Sequence, residues 1–571
     1  MGSTGKKTLT PTRARAASSS RGSRGARGAA LALGLMVVAS SLAASCSLIV
    51  DTNAEQCTSN ADCVAKGAGF EGTTCGADHI CATLACSTNK ECIDSHGGEP
   101  WICRKTDRKC GALLSQDCKL LLPNDAATIA NDDVVWFGTL LPIVGDDAST
   151  GLPNENGIEL ARRDFANTTN GLPPVAAGKA RRPFAFVACN DAADADRAAL
   201  HLTDDVGVPA IIGPAFSGTV IKVATDVTIP RKVLMISNSA TSPFITHLAN
   251  KNDLVWRTCP SDAVQSVAIS LLMQSRVEPD LRVTELKSSD TLRLAVVHKG
   301  DAYGTGMADA LFDKLVFNGK SAAANGIAYK AIDYGDPSKP DAEARYKNTV
   351  DQLIAFQPHV VIIVGTSEGV VKVFGPLETA WPASIGFKPR YVLSDGCEIP
   401  ELLGIIGSNA ELRKRILGTV PGTTSKLLDR FASHYRSTFT DGTMPDQYTA
   451  AAYDATYVLA YATVAITPRN LPITGPNLVE GLKKLVPPGP QIDVGPESMN
   501  SAFDHLMNGE NIDYNGASGP LDFDVTVGEA ESDIQIWCAD VDARGTASTF
   551  KNSGEFYDAI TKKLAGSIAC P

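Results

Sequence analysis

Small polar residues follow an apolar run at Val233–Ser237. The segment reads VLMISNSATSP, so apolar residues give way to serines, an asparagine and a threonine before Pro243. The carboxyl ends of parallel strands line ligand sites in open α/β sheets, where small hydroxyl side chains and backbone N–H groups suit an anion. The pattern therefore predicts a polar ligand site at the end of this strand.

The cysteines are the second group whose spacing predicts chemistry. Eight of the fifteen form two cassettes that open with similar phrases, CTSNADC and CSTNKEC, which indicates an internal duplication. Each cassette has few large apolar residues, so we expect two disulfides to stabilise it. Zinc is the alternative, but there is no CxxC pair, and we predict no metal site. The cassettes comprise Cys57, Cys63, Cys75 and Cys81, then Cys86, Cys92, Cys103 and Cys110.

Seven cysteines lie outside the cassettes, and six of them follow the cassettes in the chain. We predict a disulfide between Cys538 and Cys570, which would tie the C-terminal tail to the last strand. Cys397 lies beside Asp395, so a reactive thiol is one alternative, but an oxidising compartment favours a structural disulfide. The others are Cys118, Cys189 and Cys259.

The N-terminal residues have the order of an export signal. Seven basic residues precede any acidic one, and the uncharged run at residues 29–44 is too short to span a bilayer comfortably. The run ends in LAASC, which resembles a bacterial lipoprotein lipobox with Cys46 as the lipidated residue, although Ala43 stands where leucine is usual. Lipidation of Cys46 would leave fourteen cysteines able to pair. The alternative is simple cleavage, with Cys46 as an ordinary thiol.

Length and charge limit the classes of protein. At 571 residues, with 44% apolar and 20% charged residues, the chain is typical of soluble globular proteins with several domains. A net charge of -11 argues against nucleic acid as the main partner. We predict a signal peptide at 1–45, a cysteine-rich spacer at 46–118 that holds the next domain away from the membrane, and a linker at 119–133.

From Val134 onward, apolar runs alternate with amphipathic stretches, a pattern that favours α/β units with parallel strands. The predicted helical stretches include Asn156–Asn167, Met307–Phe317 and Ala342–Phe356. The predicted strands are Val134–Ile143, Pro183–Cys189, Pro209–Gly213, Val233–Ser237, Arg293–His298, His359–Gly365 and Arg390–Ser394.

The order of segments resembles the leucine/isoleucine/valine-binding family of type I periplasmic binding proteins. The segments are IIGPAFSGT, KVLMISNSATSP, VWRTCPSDAVQS, RLAVVHKGDAYGTGMADAL, HVVIIVG, YVLSDG and GPLDFDVTVG. The resemblance implies an α/β fold of two Rossmann-like lobes with parallel sheets, joined by three crossing strands. It assigns 134–262 and 421–521 to lobe one, and 263–420 and 522–571 to lobe two and the C-terminal tail.

The resemblance also implies a function. A ligand that contacts both lobes favours the closed state by its differential affinity. A substrate-binding receptor of this kind captures a small polar ligand, here an amino acid or related amide, and presents it to an ABC permease or a signalling partner.

The same resemblance implies which residues hold the ligand. Ser217, Ala240 and Thr241 match positions that bind a ligand carboxylate, and Ser239 is a neighbour that would contribute its backbone. Capping of the following helices is the alternative role for Ser217 and Thr241.

Tyr303 matches a tyrosine that lines the cleft, and Asp395 matches the acidic residue that pairs with the ligand amine. The alternative for Asp395 is a turn-forming aspartate before Gly396, and the alternative for Tyr303 is packing at the start of a helix.

Three positions depart from the family pattern and bear on ligand identity. Thr150 precedes Gly151, and Thr366 and Ser367 follow the HVVIIVG strand, at places where relatives selective for aliphatic amino acids carry aromatic residues. With two apolar walls missing, the pocket should be more polar or roomier than one shaped for leucine.

Two other classes of function compete with a ligand receptor. An exported hydrolase would need a nucleophile with a base or an open metal site, but GPAFSG lacks a GxSxG elbow and there is no HExxH, so we predict neither an enzyme nor a cofactor. A surface lipoprotein that binds other proteins without transport is the remaining alternative, which the cassettes and the missing aromatic walls favour. For the ligand receptor, as for the protein-binding lipoprotein, we expect a lipid anchor in the bacterial cell envelope, with the protein periplasmic or associated with the outer membrane.

Overall fold

The fold is that of a computed structural model, which describes residues 56–67, 70, 73–75, 79–83, 86–145, 147–176, 178–249, 251, 253–287, 289–422 and 424–570. The predicted signal peptide and Cys46 lie outside these residues. Among the helices of the described ranges, none combines the length and the apolar character that spanning a bilayer requires.

The two cassettes share one internal plan. Each joins its first cysteine to its third and its second to its fourth, which confirms the predicted disulfides and leaves none of these eight cysteines as a thiolate for a metal. In each, a short helix precedes a two-stranded antiparallel ladder. The elements are α1 (Asn60–Val64), β1 (Thr73–Cys75) and β2 (Cys81–Thr83) in the first cassette, and α2 (Asn89–Ser95), β3 (Trp101–Cys103) and β4 (Cys110–Ala112) in the second.

The second cassette packs against the body of the protein, so it does not form a unit separate from that body. The buried Asn89 side chain donates to the carbonyls of Ile129 at 3.0 Å and Asn131 at 3.1 Å, and its Oδ1 accepts from the N–H of Cys103 at 2.9 Å. A Cβ at Gly111 would lie 2.0 Å from the carbonyl oxygen of Asp205, so the ladder needs glycine there. The spacer role of 46–118 stays a prediction.

The first sheet has the strand order β10-β9-β8-β6-β7-β5. The five strands from β10 to β7 are parallel, as predicted, and β5 pairs antiparallel with β7 at the edge. The predicted linker 119–133 is therefore wrong in its first part, because residues 118–122 belong to this sheet, and the Cys118–Cys189 disulfide joins the two strands. The strands are β5 (Cys118–Leu122), β6 (Val135–Leu141), β7 (Phe184–Asn190), β8 (Ala210–Ile212), β9 (Leu234–Ser237) and β10 (Val255–Arg257).

Helices cover both faces of this sheet and complete lobe one. Alternate residues of a strand serve opposite cores, as Phe186 and Val187 do on β7, so a strand buried on both faces is a continuous apolar run. Helix α17 is buried along almost its whole length and packs on α4. The helices are α3 (Ala126–Ala130), α4 (Ala148–Thr169), α5 (Ala195–Leu200), α6 (Ser217–Val223), α7 (Ile229–Arg231), α8 (Pro243–Thr246), α16 (Lys426–Thr438), α17 (Gln447–Ile466), α18 (Gly475–Leu482) and α19 (Met499–Met507), with a small parallel ladder of β18 (Gln491–Asp493) and β19 (Asp513–Asn515).

The second sheet has the order β14-β11-β15-β16-β17-β20-β21-β22 and forms lobe two. Its first five strands are parallel and its last three antiparallel, an extension that was not predicted. The predicted Cys538–Cys570 disulfide is confirmed and holds the C-terminal tail on β20. The strands of this sheet are β11 (Leu294–Lys299), β14 (Tyr329–Gly335), β15 (Val360–Val364), β16 (Arg390–Leu393), β17 (Ile416–Pro421), β20 (Ile534–Val541), β21 (Ala547–Asp558) and β22 (Lys563–Gly566). A separate hairpin consists of β12 (Val316–Phe317) and β13 (Lys320–Ser321). The helices are α9 (Asp262–Leu272), α10 (Glu278–Thr284), α11 (Ala302–Lys314), α12 (Ala342–Phe356), α13 (Gly375–Ala380), α14 (Pro400–Ile406) and α15 (Ala410–Arg413).

The chain crosses between the lobes three times, at 258–261, 422–425 and 516–533. Asp454 of α17 fixes the last crossing, because its carboxylate accepts hydrogen bonds from the N–H groups of Ala517 and Ser518 and from the hydroxyls of Ser518 and Tyr514. Burial nevertheless raises the pKa of Asp454 to about 6. The two-lobed α/β fold is thus confirmed, while the exact domain boundaries taken from the sequence remain predictions.

Candidate functional site

Two turns at the carboxyl edge of the first sheet bring the predicted hydroxyl residues together. Ser217 begins α6 after β8, and Thr241 lies between β9 and α8; both are buried. The Oγ of Ser217 accepts from the N–H of Ser242 at 3.2 Å, and the Ser239 hydroxyl donates to the carbonyl of Ala215 at 3.1 Å. These bonds fasten one turn to the other.

Arg257 stabilises the turn that carries Ala240 and Thr241. Its fully buried guanidinium donates to the carbonyls of Ala240 at 3.1 Å and Ser242 at 2.9 Å, and its Nη2 lies 2.8 Å from Oε1 of Glu529. The N–H of Ala240 donates to Ser237 Oγ at 3.1 Å. Both backbone polar groups of Ala240, a predicted ligand residue, therefore have partners within the protein.

Asp395 follows β16 in lobe two and is held by hydroxyls from both lobes. The Tyr303 hydroxyl lies 2.8 Å from Asp395 Oδ1 and 2.8 Å from Ser394 Oγ, and the Tyr448 hydroxyl donates to Asp395 Oδ2 at 2.5 Å. Burial raises the pKa of Asp395, while hydrogen bonds from Tyr448, Tyr303 and Gln265 oppose the rise. The predicted pair Tyr303 and Asp395 is thus in direct contact.

A second carboxylate, that of Asp262, lies beside the hydroxyl turn. The Thr241 hydroxyl donates to Asp262 Oδ2 at 3.0 Å, and the N–H of Asp262 donates to the Thr241 carbonyl at 2.8 Å. Asp262 is fully buried, and its Oδ1 has no hydrogen-bond partner among the described residues. Burial and then the charge of Asp395 raise the pKa of Asp262 well above its ordinary value.

The lobes touch next to these carboxylates. The Ser242 hydroxyl of lobe one donates to the carbonyl of Ala302 in lobe two at 2.7 Å. A Cβ at Gly306 would lie 2.5 Å from Ser242 Oγ, so α11 can approach α8 only with glycine there. The site residues of both lobes therefore meet at one interface.

The residues that depart from the family pattern lie elsewhere in the cleft region. The Thr366 hydroxyl donates to Glu368 Oε2 at 2.6 Å and accepts from Lys299 Nζ at 3.2 Å. Lys299 also lies 3.5 Å from both Glu368 and Asp301, whose charges raise its pKa although burial lowers it. Thr150 is half-buried in the first turn of α4, and Ser367 is exposed.

A small cavity lies where the three crossings meet. Its free volume is about 10 Å³, roughly one water molecule. It adjoins Tyr448, and so it lies next to Asp395. The lining residues are Thr258, Cys259, Pro260, Pro421, Gly422, Gln447, Tyr448, Ala451 and Ser518.

Two cysteines near the site remain thiols. Cys259 and Cys397 are both buried and free, so the disulfide expected for Cys397 is wrong. Cys397 Sγ instead faces the carbonyls of Gly365 at 3.5 Å and Ile363 at 3.8 Å. Burial raises the pKa of each thiol to about 12, which also argues against a reactive thiolate.

Sequence reasoning missed Tyr448, Asp262 and Gln265 as parts of the site. Tyr448 lies 53 residues beyond its partner Asp395, and nothing in the local sequence links the two. Asp262 follows Ser261, the N-cap of α9, and an SD pair that opens a helix is typical of ordinary capping. Only the fold shows that these residues meet at the predicted site.

Comparisons with known proteins agree with this architecture. The model of the periplasmic binding protein family matches residues 135–509. The chain is 26% identical over 400 residues to the chemotactic signal transduction system substrate-binding protein BasB of Halobacterium salinarum, covering 68% of this chain and 83% of that protein. It is 28% identical over 246 residues to the Leu/Ile/Val-binding protein BraC3 of Rhizobium johnstonii, covering 40% of this chain and 56% of that protein.

Solved structures show the same fold at low sequence identity. The leucine-binding protein LivK of Thermotoga maritima superposes with a TM-score of 0.51 at 18% identity, covering 73% of this chain and 99% of its own. LivJ of Streptococcus pneumoniae, solved in complex with isoleucine, gives 0.51 at 16% identity with the same coverage. The two lobes, their crossings and the family match together show that this chain belongs to the periplasmic binding protein family.

Proposed function

We propose that this protein is an envelope-anchored receptor that captures a small polar ligand, an amino acid or a related amide, between its two lobes. The observation that carries the proposal is Asp395, a buried carboxylate held by Tyr303 from lobe two and Tyr448 from lobe one. A group contacted from both lobes couples binding to hinge closure, because only the closed state makes every contact.

The candidate ligand residues remain Ser217, Ser239, Ala240, Thr241, Tyr303 and Asp395. Thr150, Thr366 and Ser367 replace aromatic walls and make the pocket more polar than one for leucine. A relative named for chemotactic signalling and another named for binding leucine, isoleucine and valine support the class of ligand and of partner. The partner is an ABC permease or a signalling protein, and Cys46 carries the lipid anchor.

A thermal-shift screen of the oxidised protein tests the proposal. The panel comprises amino acids, their amides, small peptides and carboxylates, and a ligand at ~100 times its dissociation constant should stabilise the folded protein by ~2.7 kcal/mol. A shift produced by one chemical class identifies the ligand class. A panel that is inert throughout would overturn capture and favour the alternative, a surface lipoprotein that binds other proteins.

A further inference from the structure

We infer that Arg257 and Glu529 form a positioning pair that couples the proposed ligand turn, residues 239–242, to the crossings between the lobes. Arg257 ends β10 and directly precedes the first crossing, and Glu529 lies within the third. The inference rests on the proposed function, because that function makes this turn the ligand turn. It goes further by giving a role to two residues that the proposal does not place against the ligand.

Arg257 contacts both ends of one short segment of lobe one. Its Nη1 donates to the carbonyls of Ala240 at 3.1 Å and Ser242 at 2.9 Å, and its Nη2 donates to the hydroxyl of Thr246, the last residue of α8, at 2.8 Å. Because the guanidinium is planar and its donors have a fixed geometry, these contacts set the position of the turn relative to the helix. We call residues 239–246 the turn–α8 segment.

Glu529 attaches the third crossing to this segment. Its Oε1 lies 2.8 Å from Arg257 Nη2, and its Oε2 accepts from the Thr246 hydroxyl at 3.0 Å. Lys251 adds a second cation, because its Nζ lies 3.8 Å from Glu529 Oε1 and donates to the carbonyl of Val527. The third crossing is thus joined through side chains to a segment that is remote from it in the chain.

The main chain of the third crossing also lies directly on β10. The N–H of Arg257 donates to the carbonyl of Gly528 at 3.0 Å. Gly528 has a φ of +69°, and a Cβ there would lie 2.9 Å from Trp256 Cγ, so this close approach needs glycine. The chain then enters lobe two at β20, so a hinge motion that displaces the crossing acts on the backbone and the side chain of Arg257.

The turn–α8 segment is in contact with lobe two as well. The Ser242 hydroxyl donates to the carbonyl of Ala302 at 2.7 Å, where α11 packs against α8. Hinge motion therefore reaches the segment by two routes, through α11 and through Glu529. The position of the ligand turn and the angle between the lobes change together.

Burial indicates that the pair serves position more than stability. Arg257 is fully buried and the Glu529 side chain is 11% exposed. Taking two charges out of water costs free energy that their attraction offsets only with good geometry, and an apolar residue could fill the same space. An apolar residue would leave the carbonyls of Ala240 and Ser242 without these donors. The pair therefore adds a fixed position for the turn.

Hydrogen–deuterium exchange of the full oxidised protein, read by mass spectrometry, tests the coupling in Glu529→Gln. The substitution keeps the shape of the side chain and removes its charge. Within the described ranges, no hydrogen bond or ion pair joins Glu529 directly to residues 239–242. An effect on the turn must therefore pass through neighbours such as Arg257.

We expect amide exchange in Glu529→Gln to become roughly tenfold faster in both the turn–α8 segment and residues 524–530. Tenfold is the lower end of the effect of one hydrogen bond to a charged group, and local opening sets the exchange rate. Exchange in β7, in the core of the same lobe, should not change. Unchanged exchange in the turn–α8 segment would overturn the inference.

The matched control is Glu378→Gln, which breaks another buried arginine–glutamate pair. Glu378 Oε2 lies 2.6 Å from Arg415 Nη2, and Arg415 also donates to the carbonyl of Pro389 at 2.6 Å, before β17 in lobe two. This variant should lose stability while the turn–α8 segment exchanges as in the unmodified protein. Faster exchange of that segment in the control as well would show an effect of global stability and would overturn the inference.

A second test uses the unmodified protein and so does not depend on whether a variant folds. An equimolar mixture of the common amino acids is the probe, and it should slow exchange in the turn–α8 segment and in 524–530 by similar factors. Slower exchange in the segment alone would overturn the inference and leave the proposed function standing. Slower exchange in neither, with faster exchange in both in Glu529→Gln, would support the coupling and overturn capture of an amino acid.

Discussion

The two sides of the candidate site differ in how their polar groups are satisfied. On lobe one, Ser239 and Thr241 donate their hydroxyl protons to acceptors within the protein, and Ala240 has partners for both backbone groups. On the other side, the carboxylates of Asp262 and Asp395 accept hydrogen bonds from hydroxyls but pair with no cation of the described residues. The difference teaches that polar residues at a sheet edge are not all equally available to a ligand. The groups that still lack a partner within the protein are the ones that a ligand is expected to contact.

Removing the charge of Asp395 should have the largest effect on binding. Asp395→Asn keeps the size of the side chain but removes the charge that pairs with a ligand ammonium, so affinity for any amine that binds should fall roughly 100-fold, about 3 kcal/mol. Titration calorimetry measures this directly. If Asp395→Asn bound the amine as tightly as the unmodified protein, the contrast between the two sides would be wrong.

Glu155 tests whether a buried carboxylate away from the candidate site affects stability alone or ligand binding as well. It lies in the core of lobe one, where the Thr139 hydroxyl contacts its two oxygens at 2.8 and 3.0 Å, and burial raises its pKa from 4.5 to about 7. The folded state therefore keeps the proton between about pH 4.5 and 7 while the unfolded state releases it, so this group lowers stability as pH rises through that window. Above pH 7, Glu155→Gln should have a free energy of unfolding that is higher by about 2 to 3 kcal/mol.

Denaturant titrations of Glu155→Gln and the unmodified protein at pH 5 and pH 8 check this expectation. Ligand affinity should be unchanged, which would separate a structural carboxylate from those at the site. Glu343→Gln is the control, because Glu343 is exposed on α12. If the difference in free energy of unfolding between Glu155→Gln and the unmodified protein were the same at pH 5 and pH 8, the raised pKa assigned to Glu155 would be wrong.

Ser217 should matter less than either carboxylate of the site. Its Oγ accepts from the N–H of Ser242, so Ser217→Ala removes one neutral hydrogen bond and should lower amine affinity by less than about tenfold, with a loss of stability of about 1 kcal/mol. Parallel calorimetry and thermal unfolding separate the two effects. A loss of affinity as large as that in Asp395→Asn would show that Ser217 contributes as much to binding as the carboxylate does.

The smallest effect is expected when the two thiols, one on each side of the site, are exposed to an alkylating reagent. Burial raises the pKa of both Cys259 and Cys397 to about 12, so neither should react with iodoacetamide in the folded protein at pH 7. Mass spectrometry after brief exposure counts the modified thiols. Modification of Cys397 alone would show that lobe two opens its side of the site more often than lobe one.

The fold was predictable where strands are buried on both faces. Runs such as Val360–Val364 are wholly apolar because two cores cover them, and a short run of this kind is typical of a central parallel strand. Strands β5, β21 and β22 have exposed residues along their length, so their mixed patterns resemble loops and were missed. Docking of the second cassette depends on the Asn89 amide, whose partners in Ile129 and Asn131 lie about 40 residues away, and no local pattern encodes them.

The site was predictable only as far as strand ends locate it. The turns that carry Ser217 and Thr241 follow their strands directly, so their meeting at one edge is a property of parallel sheets. The contact of Tyr448 with Asp395 depends on how the lobes close on each other, because the two residues belong to different lobes. Such contacts cannot be read from residue order, because they join segments that the sequence does not relate.

The central claim is that an amine-bearing ligand closes the two lobes on each other. Spin labels at Arg436→Cys on α16 and Ile327→Cys in lobe two, both exposed positions, give the distance between the lobes by pulsed electron resonance. With the tightest-binding amine of the screening panel at saturation, we predict that the distribution of distances shifts to its short component, and that Asp395→Asn abolishes the shift. A distribution unchanged by a saturating amine would contradict the claim.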